Sequence, residues 1–75
     1  RLEDYNTLKP IIEEFKLDKK NCRTIVLGCG NAEFSEDMYD DGYQNILNID
    51  ISENVIKSMK ERNVNRPLMS CILFN

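Results

Sequence analysis

Histidine is absent from this sequence. That absence excludes His-based zinc sites and any Ser-His or Cys-His catalytic pair. Cysteine is scarce. Cys22, Cys29 and Cys71 are odd in number and widely scattered, so they do not make a disulfide framework. Long apolar runs are missing too. The longest, such as Thr24-Ile25-Val26-Leu27, fall far short of the roughly 20 residues that a membrane span requires. A basic excess is lacking: 10 lysines and arginines face 13 acids, for a net charge of −3. That argues against a general nucleic-acid binder. The opening residues Arg1-Leu2-Glu3-Asp4 do not read as a signal peptide. Together these absences predict a soluble, cytoplasmic chain in a reducing compartment, with neither membrane nor nucleic acid as a partner.

What is present suffices for one small domain. A chain of 75 residues hides only about 60% of the surface its unfolded form exposes, so its core is marginal. Residues 5–17 have Tyr5, Leu8, Ile12 and Phe15 on one helical face. Asn6 or Thr7 is the expected cap, which places Pro10 in or just after the first turn, where a missing N–H costs least. Lys16, Lys19, Lys20 and Arg23 follow, and cations suit a helix C-terminus.

Thr24 to Leu27 is a short β-branched run that stops at Gly28, the pattern of a strand buried on both faces of a parallel sheet. Asn31 to Asp41 read as a helix with Phe34 and Met38 inward, ended by Gly42. Asn45 to Asp50 form a second strand pattern. Ser52 caps a third helix whose Val55, Ile56 and Met59 face inward. Pro67 breaks the chain, and Met69 to Phe74 read as a third strand. Strands alternating with helices imply right-handed crossovers and a parallel sheet. The predicted fold is α/β, the first half of a doubly wound, Rossmann-like sheet with three strands and three helices. Residues 1–22 are the leading helix and linker, and residues 23–75 the β-α-β-α-β half-domain.

The informative constellation is Leu27-Gly28-Cys29-Gly30-Asn31 at a strand-to-helix turn, with Asp50 at the next strand tip 22 residues after Gly28. Glycines permit a tight turn and let a ligand approach the backbone without meeting a Cβ. Parallel neighbouring strands bring Asp50 to the same crevice, and an acid about 20 residues on can accept from two ribose hydroxyls. The pair predicts an adenosine-type ligand. A third glycine is lacking, because Glu33 stands at that place. A carboxylate in the first helical turn would repel a pyrophosphate. This favours a phosphate-free ligand, such as the sulfonium S-adenosylmethionine, over NAD or FAD.

Ile25 to Asn31, Asn48-Ile49-Asp50-Ile51-Ser52, Val55-Ile56 and Met59 to Asn63 closely resemble the class I S-adenosylmethionine-dependent methyltransferases. Within them the wording is most similar to the methyltransferase-like group that includes lysine methyltransferases of translation elongation factor 1-alpha. The resemblance implies that Gly28 and Gly30 lie against the methionine and ribose of the cofactor. It implies that Asp50 binds the ribose hydroxyls and Ile51 packs on adenine. Asn75 takes the place of an Asp that accepts from the adenine amino group, and an Asn oxygen can still accept. It also implies methyl transfer to a protein lysine or amine, with a protein substrate as partner. In the family's sheet the third, second, first and fourth strands are neighbours in that order, so these 75 residues read as the front half, without a catalytic wall. As an isolated piece they are expected to be inactive and to self-associate through the bared strand.

Two other functions remain open at this point. One is a dinucleotide-binding half-domain of an oxidoreductase, against which Glu33 counts. The other is a non-catalytic, truncated interaction fragment. The glycines could make a turn without a ligand, and Asp50 could merely lead into Ser52. Cys29 reads as a small filler, and Cys22 and Cys71 as ordinary reduced thiols. Glu36, Asp37, Asp40 and Asp41 crowd the end of the second helix against its dipole, which reads as a solvated face, with recognition of a basic protein as the sharper alternative.

Overall fold

Three apolar runs too short for helices become strands, and three amphipathic segments become helices. The computed structural model describes residues 4–28 and 33–74. The elements are α1 (Tyr5–Glu14), β1 (Thr24–Leu27), α2 (Glu33–Asp40), β2 (Ile46–Asp50), α3 (Glu53–Arg62) and β3 (Met69–Leu73). The strands form one sheet in the order β1-β2-β3, parallel throughout. The order, the parallel pairing and the three helices match the expected half of a doubly wound fold.

The register runs from Thr24 opposite Ile46 to Leu27 opposite Ile49, and from Ile46 opposite Met69 to Asp50 opposite Leu73. Alternation therefore puts Val26, Ile46, Asn48, Met69, Cys71 and Leu73 on one face. Two clusters cover that face. Tyr5, Met38, Tyr39, Tyr43 and Ile46 form one, with Val26, Phe34 and Met69 against it. Ile56 and Met59 form the other, with Val26, Cys71 and Leu73 against it. Each fully buried side chain of this kind contributes about 1.5–3 kcal/mol.

The opposite face carries Ile25, Leu27, Leu47, Ile49 and Ile72. Ile25, Leu27 and Ile72 are exposed there, Leu27 to 74%. The expectation that β1 is buried on both faces therefore fails among the described residues, because both crossover helices lie on one side. Right-handed crossovers along a sheet laid down in one direction place consecutive helices on the same face.

The leading helix departs from its periodicity. Asp4 is the N-cap, accepting from the Asn6 amide at 2.8 Å, in place of the expected Asn6 or Thr7. Pro10 consequently sits inside the helix. The helix ends at Glu14 and not near residue 17, because Lys16 turns left-handed at φ 51°. Phe15 falls at the C-cap and is left exposed, off the expected apolar face. Gly42 ends α2 at φ 110°, as the sequence indicated, and Ser52 caps α3 by accepting from the Val55 amide at 3.3 Å.

The acids of α2 are fasteners, which corrects the reading of a solvated face. Glu36 is buried against Arg62 of α3 at 2.8 Å. Asp40 receives both Nε and Nη2 of Arg66, at 3.0 and 2.7 Å. Asp41 accepts from the Tyr5 hydroxyl at 2.6 Å, and Lys9 and Lys19 close on it at 3.3 and 3.5 Å. Lys19 also reaches the Asp41 carbonyl at 3.0 Å and lies over the Tyr43 ring. It thus serves α2 and not the end of α1. Asp37 alone of the four stays exposed without such a clasp among the described contacts.

The Tyr5 hydrogen bond, then Lys9 and Lys19, hold the Asp41 carboxyl below its usual range, while burial and then Asp41 raise the Tyr5 hydroxyl above its own. A lowered acid stabilises the fold above its unfolded value, near 3.8, and that contribution is lost as pH falls through the folded value. A raised phenol stabilises below about 10 and is lost only as pH rises through its folded value. Tyr5→Phe keeps the ring in the core and removes the bond. We expect a loss of about 1 kcal/mol at neutral pH, read as a lower urea midpoint, with the difference from wild type shrinking below pH 4. Equal midpoints at pH 7 would show that the bond fastens nothing.

The bare apolar face has its own consequence. A polypeptide of these 75 residues alone presents Ile25, Leu27 and Ile72 and the unpaired edge of β1 to solvent. Sedimentation at about 100 μM, roughly where transiently bared apolar surface begins to associate, is expected to show self-association. A monomer at that concentration would refute this.

Candidate functional site

β1 ends in Gly28, which takes φ +64°. A side chain in that left-handed region is strained, and glycine is not. The Gly28 amide donates to the Ile49 carbonyl at 2.8 Å, so the turn is pinned to β2 as it leaves the sheet. A Cβ built on Gly28 meets no atom of the described residues within 4 Å. The glycine is therefore needed for its conformation, and among the described residues nothing fills the space beside it.

Asp50 lies at the tip of β2. Leu27 stands opposite Ile49, so Gly28 and Asp50 follow each other's strand at the same level, about 5 Å apart by strand spacing. The Asp50 backbone carbonyl accepts from the Phe74 amide at 2.9 Å, carrying the pairing with β3 one step further. Its Oδ1 accepts from the Ser52 amide at 2.9 Å. The residue thus leads the chain into α3, as the plainer reading held. A carboxylate has about four acceptor positions, so this local bond is compatible with accepting from ligand hydroxyls as well. Ile51 beside it is 78% exposed, an apolar side chain held at the rim.

The structure brings Gly28, Asp50 and Ile51 together at the carboxyl edge of the sheet. Gly30 and Asn75, and Cys29 with them, lie outside the described residues. Glu33 is the first residue of α2 and is exposed. A carboxylate in that first turn disfavours a pyrophosphate. A small phosphate-free ligand with a diol fits better: an acceptor at one strand tip, the glycine Gly28 beside it, and an exposed apolar side chain next to Asp50. An acceptor for hydroxyls beside an apolar surface is suited to the ribose and adenine of S-adenosylmethionine.

Beneath this edge is a polar joint that the pattern of apolar residues did not reveal. Asn48 in β2 and Ser35 in α2 are both fully buried. The Ser35 hydroxyl donates to Asn48 Oδ1, and Asn48 Nδ2 donates to the Ser70 carbonyl at 3.3 Å and lies 3.8 Å from Cys71 Sγ. The available signal was an amide in the middle of Ile46-Leu47-Asn48-Ile49, at an inward position. Burial, partly offset by the Asn48 contact, pushes the Cys71 thiol up. Burial thus works against thiolate formation at Cys71.

Comparison with known proteins agrees with the fold. A family profile described as a methyltransferase domain matches residues 25–75. The eEF1A lysine and N-terminal methyltransferase of Bos taurus is 61% identical over 56 residues, 73% of this chain and 8% of its own length. The protein of the same name from Mus musculus is 54% identical over 70 residues, 91% of this chain and 10% of its own length. That of Danio rerio is 44% identical over 63 residues, 84% and 9%. The chain therefore spans a tenth or less of the length of these relatives. They do not favour a dinucleotide-binding half-domain of an oxidoreductase or a non-catalytic, truncated interaction fragment. Since the matched stretch runs through both the glycine turn and the acidic strand tip, the chain belongs to the methyltransferase domain family, as its resemblance to the class I enzymes implied.

Proposed function

We propose that this chain forms the cofactor-holding part of an S-adenosylmethionine-dependent methyltransferase that acts on a protein lysine or another protein amine. One observation carries the proposal. The left-handed Gly28 is hydrogen-bonded to β2 beside Asp50, and no described residue occupies the place where its side chain would stand. The names of the relatives, which specify lysine and N-terminal methylation of eEF1A, support the substrate class. The free thiols of Cys22 and Cys71 suit a reducing, cytoplasmic setting.

S-adenosylmethionine supplies a methyl group on a cationic sulfonium, open to attack by an amine. The chain's own residues bind and orient. Gly28 and Gly30 would let the methionine and ribose lie against the backbone. Asp50 would accept from the ribose hydroxyls, with its carboxylate already oriented by the Ser52 amide. Ile51 would cover one side of the adenine, and the Asn75 oxygen would accept from its amino group. Such residues serve catalysis by fixing the methyl donor for in-line approach of the amine. In this reading residues 23–75 carry the site and residues 1–22 lead into it.

Calorimetry on the full-length protein tests the assignment. S-adenosylmethionine is expected to bind more tightly than NAD. Asp50→Ala should cost about 1.5–3 kcal/mol of that binding, roughly tenfold to a hundredfold in affinity. Tighter binding of NAD would overturn the cofactor assignment. An unchanged dissociation constant in a folded Asp50→Ala protein would leave Asp50 only its local role before α3.

A further inference from the structure

Asn48 is an amide at 0% exposure in the middle of the central strand, joined to a serine that is equally buried. An apolar pair of similar volume would fill this space without any need for partners. Here the polar groups are satisfied by partners on two other elements, so that three are joined at once. Oδ1 takes the Ser35 hydroxyl of α2, and Nδ2 faces the Ser70 carbonyl and Cys71 sulfur of β3. Hydrogen bonds are directional and fix a helix at one position along a strand, whereas aliphatic contacts tolerate repacking.

The place of this joint is informative. Ser35 is the third residue of α2, the helix that follows the Gly28 turn. Asn48 lies two residues before Asp50 on the same strand and the same face. Ser70 and Cys71 precede Phe74, whose amide is bonded to the Asp50 carbonyl. The Asn48 amide therefore joins the strand that ends in Asp50, the strand that leads to Phe74, and the helix that follows the Gly28 turn.

We propose that the Ser35–Asn48 bridge is a positioning device. It fixes α2 against β2, so that the Gly28 turn and the Asp50 carboxylate keep the separation a nucleoside diol requires, without itself touching the ligand. The inference rests on the reading of this crevice as the S-adenosylmethionine site. It goes further by making affinity depend on a buried pair remote from the ligand.

The test uses the full-length protein with Ser35→Ala, Asn48→Leu and the double substitution. Removing both partners leaves no unpaired side chain of the pair, although the Ser70 carbonyl loses its Asn48 donor, so the double variant should have a higher urea midpoint than Asn48→Leu alone. Its dissociation constant for S-adenosylmethionine should nevertheless rise about tenfold. The amides of Gly28 and Ser52, bonded to Ile49 and Asp50, should exchange with solvent faster than in wild type. Wild-type affinity and wild-type exchange at both amides would reduce the pair to core filling. Should the double variant not fold, Ser35→Ala is read by the same two measurements. If wild type itself fails to bind S-adenosylmethionine, the cofactor reading falls. Exchange at Gly28 and Ser52 then still decides whether the bridge holds the edge.

Discussion

The in-register parallel pairing of β1 with β2 is the constraint on which the rest depends. Leu27 opposite Ile49 makes Gly28 and Asp50 leave the sheet side by side. A slip of one residue would turn Val26 out of the helix-covered face and carry the glycine turn away from the acid. Packing holds the register from below, since Ile46 is 1% exposed within the tyrosine and methionine cluster. The Gly28 amide on the Ile49 carbonyl closes it from above. That last bond is available because a glycine accepts φ +64°. The fold and the crevice are therefore set by the same few contacts.

Much of this was legible because it is local. β-branched runs, Gly42 after α2 and Ser52 before α3 specify their elements within a few residues, and Gly28 and Asp50 are related by the length of one strand-helix unit. The limits of α1 were not legible for the opposite reason. Asp4, Asn6 and Thr7 are all good caps, and the choice among them falls to Tyr5, whose ring packs edge-on to Phe34 and whose hydroxyl meets Asp41. Phe15 continues the apolar spacing, yet the left-handed Lys16 ends the helix beside it. Asn48 was hidden because an Asn in a strand looks like an outward residue until its register is known.

The acidic end of α2 shows what charge patterning conceals. Four acids near a helix C-terminus oppose its dipole, so local reasoning assigns them to solvent. The partners of Glu36, Asp40 and Asp41 come from 22 to 36 residues away: Lys19, Arg62, Arg66 and Tyr5. No short window contains both members of a pair. Exposed ion pairs contribute little each. Their effect is more on where α1 and α3 sit against α2 than on how tightly the whole is held.

The two faces of the sheet divide the work unequally. The covered face carries the direction-specific contacts: the Asn48 amide, with the Glu36 and Asp41 clasps on the helices above it. The other face, with Ile25, Leu27, Leu47, Ile49 and Ile72, is almost wholly apolar, Ser70 being its polar exception. Strands apolar on both sides are the composition of a parallel sheet covered twice. Apolar cover is non-directional and adds stability in proportion to area, but it does not select among neighbouring positions of a helix along a strand. The β1–β2 register sets Gly28 beside Asp50, and the hydrogen bonds of Asn48 on the covered face add a directional hold that apolar cover does not supply. A substitution on the apolar face changes how much of the protein is folded, whereas one at Asn48 changes what the folded edge looks like.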